Sequence, residues 1–303
     1  MDSGLRGCGG VTYLHLGDQR PYSRWFSEQA RGLARELGAE FAEADITGRP
    51  DFTAPLGAYL STQVHVPGYP LLGAPRSTAT LLSLLEEGLP EHDALQGGGG
   101  TDVPSTESST PSHGIFHTAR PGDRDWLEAV SGSVRVCLSE SLDNQQRQAM
   151  AEAKVRWFRV LAGRYGCAPA ITVVRSAGEV AGFAELIPAA AAHVSLPGAA
   201  PRDRFLTCVH AAPDAADLRS ALLRAALGSA CAAQALAPAI WAVSGRRLPY
   251  PNGPLPLFLA AGFEVVAGLG RRCHAPDGWD DLLPVRSAGH AVKAGHRLPG
   301  SRG

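Results

Sequence analysis

The chain has 303 residues, of which 45% are apolar and 19% charged, so it can bury a substantial core and is long enough for two folded units. Its net charge of -1 excludes a general nucleic-acid binder and a polybasic membrane patch, since both need a basic surface facing phosphates. The six cysteines form no CxxC pair and no Cys/His cluster with metal-ligand spacing, no apolar run is long enough to span a bilayer, and Met1 to Gly10 has no leader-like apolar stretch. These features predict a cytoplasmic protein without a metal, a membrane segment or a nucleic-acid partner.

Taken in order, residues 1–10 read as a disordered start and 11–93 as a first folded unit. Val11 to Leu16 predicts a strand, followed by a turn at Gly17-Asp-Gln-Arg-Pro-Tyr22. A helix follows, with Phe26, Ala30, Leu33, Ala34 and Leu37 on one face and Gly38 as its stop. Glu40 to Ile46 and Gln63 to Val66 read as further strands, and Thr78 to Glu87 as a closing helix. Residues 94–113 are Gly, Ser, Thr and Pro with almost nothing to bury, the composition of a flexible linker.

A second unit spans 114–285. It opens with a strand at Gly114, a helix from about Asp123 and a longer helix over Asn144 to Tyr165, whose predicted buried face carries Met150, Ala153, Trp157, Phe158 and Leu161. Ala170 to Val174 and Val180 to Ile187 form a predicted hairpin, with Gly178 free to take positive φ. Phe205 to Val209 is a strand, Asp217 to about Leu236 a helix and Ala239 to Val243 a strand. Leu255 to Ala261 is a short helix and Phe263 to Leu269 the last strand, with 286–303 as a loose tail.

Three segments in this second unit, in matching order, resemble those of the GNAT N-acetyltransferases. They are Val180-Ala-Gly-Phe-Ala-Glu-Leu-Ile-Pro188, then Phe205 to Val209 with Pro213 and Ser220-Ala-Leu-Leu223, and then Phe258-Leu-Ala-Ala-Gly-Phe-Glu-Val-Val266. The resemblance implies an α/β (α+β) GNAT fold with a mixed central sheet. It also implies transfer of an acyl group, usually acetyl from acetyl-CoA, to an amine of a small molecule or peptide by direct attack. Strand amides at Thr207, Cys208, Val209 and His210 would hold the thioester carbonyl. The turn carrying Asp217, Leu218, Arg219 and Ser220 would hold the pyrophosphate at a helix N-terminus.

The chain departs from the family pattern at several of these positions. Asp217 and Arg219 stand where the family has small residues; the first would repel a pyrophosphate and the second could pair with it. Phe258 stands where the family often has a proton-donating tyrosine, and Tyr250 is the nearest substitute. Glu185, facing a cleft or solvent by strand alternation, is the first candidate for general base, and His210 at the strand end is the second.

The first unit resembles the thioredoxin-like domain attached to some bacterial acetyltransferases, through the turn Gly17-Asp-Gln-Arg-Pro-Tyr-Ser23. Those relatives carry a cysteine where this chain has Arg20, so thiol exchange is excluded. The remaining roles for this unit are structural docking or an anion site at Arg20. Two altered motifs also leave open a catalytically degenerate binding or regulatory protein. The acceptor and the oligomeric state cannot be read from these residues.

Overall fold

The computed structural model describes residues 9–20, 23–73, 77–87, 114–137, 143–232, 238–246, 252–266, 271–275 and 278–287. The predicted linker and most of the predicted tail lie outside these residues.

The first segment contains β1 (Val11–His15), α1 (Ser23–Leu37), β2 (Phe41–Asp45), a short α2 (Pro50–Leu56), β3 (Thr62–His65), β4 (Leu72–Gly73) and α3 (Thr78–Glu87). Strand β2 lies parallel to β1, as a connecting helix requires, while β3 and β4 add antiparallel neighbours on the other edge of β1. The apolar stripe of α1 does what its spacing predicts: Ala30, Leu33, Ala34 and Leu37 bury against Val11, Tyr13, Val64 and Leu81. The sequence reading did not resolve α2 or β4. The first has a proline inside it, and the second is only two residues long.

The second segment contains β5 (Ile115–Ala119), α4 (Trp126–Cys137), α5 (Asn144–Tyr165), β6 (Ala170–Ser176), β7 (Glu179–Pro188), β8 (Arg204–Ala211), α6 (Arg219–Ala232), β9 (Ile240–Gly245) and α7 (Leu255–Ala260). It ends with β10 (Phe263–Val265), β11 (Arg271–Ala275) and β12 (Gly278–Ser287). Through β10 this is the expected order, and α5 has the predicted bounds, set by a capping box between Asp143 and Gln146 and by Gly166 in left-handed backbone. The β6–β7 hairpin turns on Ala177 at φ 51° and Gly178 at φ 84°, the two positive angles of a tight primed turn. Strands β11 and β12 were not expected, and β12 continues through Ser287.

Both segments join one mixed sheet of 12 strands, in the order β2-β1-β3-β4-β11-β12-β9-β8-β7-β6-β5, with β10 also on β12. Among the described residues the sheet link is a single parallel pair, Leu72 with His274, and the backbone pairing described there holds the halves weakly. Side chains do more. Leu16, Tyr59 and Leu60 of the first segment share a core with Trp126, Trp157, Phe158, Phe183 and Trp241 of the second. Gly17, at φ 51°, lies against Trp157, where an added Cβ would sit 2.5 Å from the indole nitrogen. Only glycine permits that approach. A separate core on the opposite face of the sheet packs α6 and α7 against Leu186, Leu206 and Ala242.

His193, fully buried in the connection between β7 and β8, ties the segments polarly. Its Nε2 lies 3.0 Å from the Tyr59 carbonyl, and its own carbonyl accepts from the Thr53 hydroxyl. Burial, with a smaller contribution from the charge of Arg20, lowers its pKa from 6.5 to about 4. The folded protein therefore keeps the ring neutral where an unfolded chain would protonate it. Stability from this residue is complete above pH 6.5 and is lost as pH falls towards 4, a difference of about 3 kcal/mol. Urea titrations between these pH values should show that loss, and His193→Gln should flatten it. An unchanged slope in the variant would remove His193 as the cause.

Candidate active site

Strand β7 is antiparallel to β8, and their register shifts between Glu185 and Leu186: Glu185 faces Cys208, Leu186 faces Leu206, and Thr207 has no counterpart. Thr207 is thus the extra residue of a β-bulge, and its side chain is redirected to the Glu185 side of the sheet. Its hydroxyl donates to Glu185 Oε1. Gln19, from the turn after β1, donates Nε2 to the same oxygen at 3.2 Å. Lys154 Nζ of α5 lies 2.5 Å from Oε2. Glu185 and Lys154 are 0% and 2% exposed, so Glu185 faces neither a cleft nor solvent but a closed polar cluster.

Lys154 was not among the sequence candidates. The signal was present: it falls with Ala151, Phe158 and Leu161 on the buried stripe of α5, where a lone lysine needs a buried carboxylate. The apolar face is rotated from the expected one, since Met150 and Ala153 are only partly buried. The Lys154 ammonium also lies 5.3 Å from the centre of the Phe183 ring.

On the other side, β8 pairs with β9 in parallel at only two positions, Arg204 with Ile240 and Phe205 with Trp241. The Asp203 carboxylate clamps this closed end, accepting from the Ala239 amide at 3.0 Å and the Trp241 indole at 3.3 Å. Beyond Phe205 the strands separate. Asn252 fills the start of the gap, its Nδ2 donating to the Leu206 carbonyl of β8 at 3.0 Å and the Val243 carbonyl of β9 at 3.2 Å. Its Oδ1 is buried without a hydrogen-bond partner among the described residues. On the β9 side, Gly245 bridges to Pro254, and the Ser244 hydroxyl donates to the Gly253 carbonyl. Among the described residues, the β9-facing edge of β8 from Thr207 to Ala211 has no strand partner.

Among the expected cofactor contacts, Thr207 and Val209 are buried, while Cys208 and His210 are partly exposed. Burial and the nearby Cys137 thiol push Cys208 up to about 12, so it stays a thiol and is a poor nucleophile. The pKa of His210 is lowered by burial, then by the charges of Arg219 and Arg20, which favours the neutral ring at pH 7.

After β8 the chain winds through a 3₁₀ helix, Pro213–Leu218, directly into α6. Asp217 lies in this helix, Leu218 is buried, Ser220 is exposed, and the Arg219 amide bonds the Ala216 carbonyl. The Arg219 Nε is buried and unpartnered among the described residues. Phe258 is fully buried, edge-on to Phe263 at 5.1 Å, and serves the core. Tyr250 lies outside the described residues. These residues contain no group of three metal-ligating side chains and no helix long and apolar enough to cross a membrane.

No protein-family model matches the sequence, and none of the curated proteins does. Solved structures similar to this chain include the ribosomal-protein-S18-alanine N-acetyltransferase of Escherichia coli, at 14% identity over 60% of this chain and 100% of that one, with a TM-score of 0.36. An N-acetyltransferase from Staphylococcus aureus is 17% identical over 59% and 100%, with a TM-score of 0.39. An acetyltransferase of the GNAT family from Streptococcus pneumoniae is 16% identical over 58% and 98%, with a TM-score of 0.40.

The buried cluster makes a direct stability prediction. Glu185→Gln leaves an uncompensated ammonium in the core and should cost about 3–5 kcal/mol in urea unfolding. The double variant Lys154→Met, Glu185→Leu should recover a large part of that loss. Additive losses in the double variant would show that the two charges do not depend on each other.

Proposed function

We propose that the chain is an acyl-CoA-dependent N-acyltransferase that moves an acyl group, normally acetyl, directly from coenzyme A to an amine. The observation that carries this reading is the gap between β8 and β9. Among the described residues it presents an unpaired strand edge, and the buried Asn252 Oδ1 at its vertex lacks a donor. An amide-bearing, extended thioester suits such a gap, because its N–H groups and carbonyls can complete the ladder that the strands leave open.

In this reading the amides of the β8 edge from Thr207 to His210 polarise the thioester carbonyl. Arg219 supplies a guanidinium to the phosphates, and Ser220 a hydroxyl at the start of α6. His210, favoured in its neutral form, accepts the proton of the attacking amine, and Tyr250 is the candidate donor to the departing thiolate. The amine nitrogen bonds to the acyl carbon as the carbon–sulfur bond breaks, and coenzyme A leaves as the thiol. Glu185 does not serve as the base. Its two oxygens are taken by Lys154, Gln19 and Thr207, so its role is to pin the bulge that sets the direction of β8.

The first segment acts as a redox-inactive, thioredoxin-like docking unit, with Arg20 where a thiol would be needed. Its Gln19 reaches the Glu185 cluster, which makes it part of the support of the site.

A degenerate binding protein is the second reading, favoured by the 3₁₀ winding of 213–218, in which the Arg219 amide is already bonded to Ala216. Calorimetric titration of the full chain with acetyl-CoA separates the two. The enzyme reading expects micromolar binding, lost or greatly weakened in Asn252→Leu, and turnover in an amine screen. His210→Asn should then lower kcat by about 10²-fold or more with little change in acetyl-CoA affinity. Absence of any heat with acetyl-CoA would favour the degenerate reading.

A further inference from the structure

A recess of about 360 Å³ lies between the start of α1 and the first half of α5, within the size range of small-molecule sites. None of its lining residues belongs to the β8–β9 gap. Arg20, Arg24 and Arg156 converge on it, and Trp25 and Met150 supply apolar surface. Trp25 is 46% exposed, so its indole offers apolar surface to the recess.

The charges in the recess do not cancel one another. No carboxylate lies within ion-pair distance of any of the three arginines among the described residues. The lining does contain two acids, Asp18 and Glu152, both exposed, and Glu152 accepts from Gln148 at 3.0 Å. Arg20 is half-buried and held by its Nε, which donates to the Ser61 hydroxyl at 2.8 Å. That bond fixes the guanidinium while leaving its two terminal amino groups for another acceptor. The charge of Arg20 also contributes to lowering the pKa of His193 and His210.

We propose that this recess binds a small organic anion, a carboxylate or phosphate monoester attached to an aromatic or apolar body. Arg20 provides the fixed fork, Arg24 and Arg156 close around the anion, and Trp25 with Met150 receives the apolar part. The site stands independently of the acyl-transfer reading, since neither its residues nor its test involve coenzyme A.

Calorimetric titration of the full chain with phenyl phosphate, phenylacetate and benzyl alcohol tests the proposal. At least one of the two acids should bind saturably, with the neutral alcohol at least about tenfold weaker. Arg20→Gln and Arg156→Gln should each weaken the acid about tenfold or more while the thermal midpoint stays near that of the parent protein. A preference between the two acids identifies the anion as phosphate or carboxylate. Should Arg20→Gln unfold the chain through loss of the Ser61 bond, the exposed Arg156 and Arg24 variants carry the test. The proposal is overturned if neither acid binds, if the alcohol binds as well as the acids, or if the arginine variants keep parental affinity.

Discussion

A carboxylate with no exposure to water needs its charge balanced and its oxygens engaged, and the partners of Glu185 that do this come from three separate elements. Lys154 comes from α5, Thr207 from the bulge of β8 and Gln19 from the turn after β1, all converging on β7. Withdrawing any one leaves a buried polar group without its partner, which costs more than a typical hydrogen bond contributes. The position of the helix, the direction of β8 and the docking of the first segment are therefore coupled through one side chain.

That coupling reaches the candidate active site through the bulge. Because Thr207 turns toward Glu185, β8 gains a residue relative to β7 and its course changes where it parts from β9. The separation is held at both ends of its vertex by polar clamps, Asp203 on the paired side and Asn252 on the open side. Neither clamp is apolar, so the gap is a defined polar feature rather than a packing fault. A strand edge left unpaired inside a protein is costly unless something completes it, which is the ground for proposing a ligand there.

The first segment has its own apolar core between its sheet and helices α1 and α3, yet it also lends Leu16, Tyr59 and Leu60 to the core of the second. Its tie to the second segment combines this shared core, the buried His193 and the reach of Gln19. Arg20 stands at the same boundary, bonded to Ser61 and open to the recess beside α5. Arg20 offers a cation and no sulfur, so any chemistry at this position is recognition rather than thiol exchange.

Local pattern by itself determined much of this protein. The apolar spacing of α1, the capping box of α5, the Ala177-Gly178 turn and the order of elements from β5 to β10 all follow from interactions between near neighbours in the chain. Candidates on β8 were legible for the same reason, because a strand followed by Pro213 and a helix has a local signature. What only the tertiary structure decided was where each candidate side chain sits and what it touches. Strand alternation placed Glu185 on one of two faces, but whether that face met water or a lysine depended on α5, more than twenty residues away in sequence, and on Gln19 in the other segment. The late strands β11 and β12, and the α5 wall of the recess at Arg20, escaped for the same physical reason. Sheet edges and cavities are made by residues distant in the chain, and no periodicity along it records which surfaces will meet.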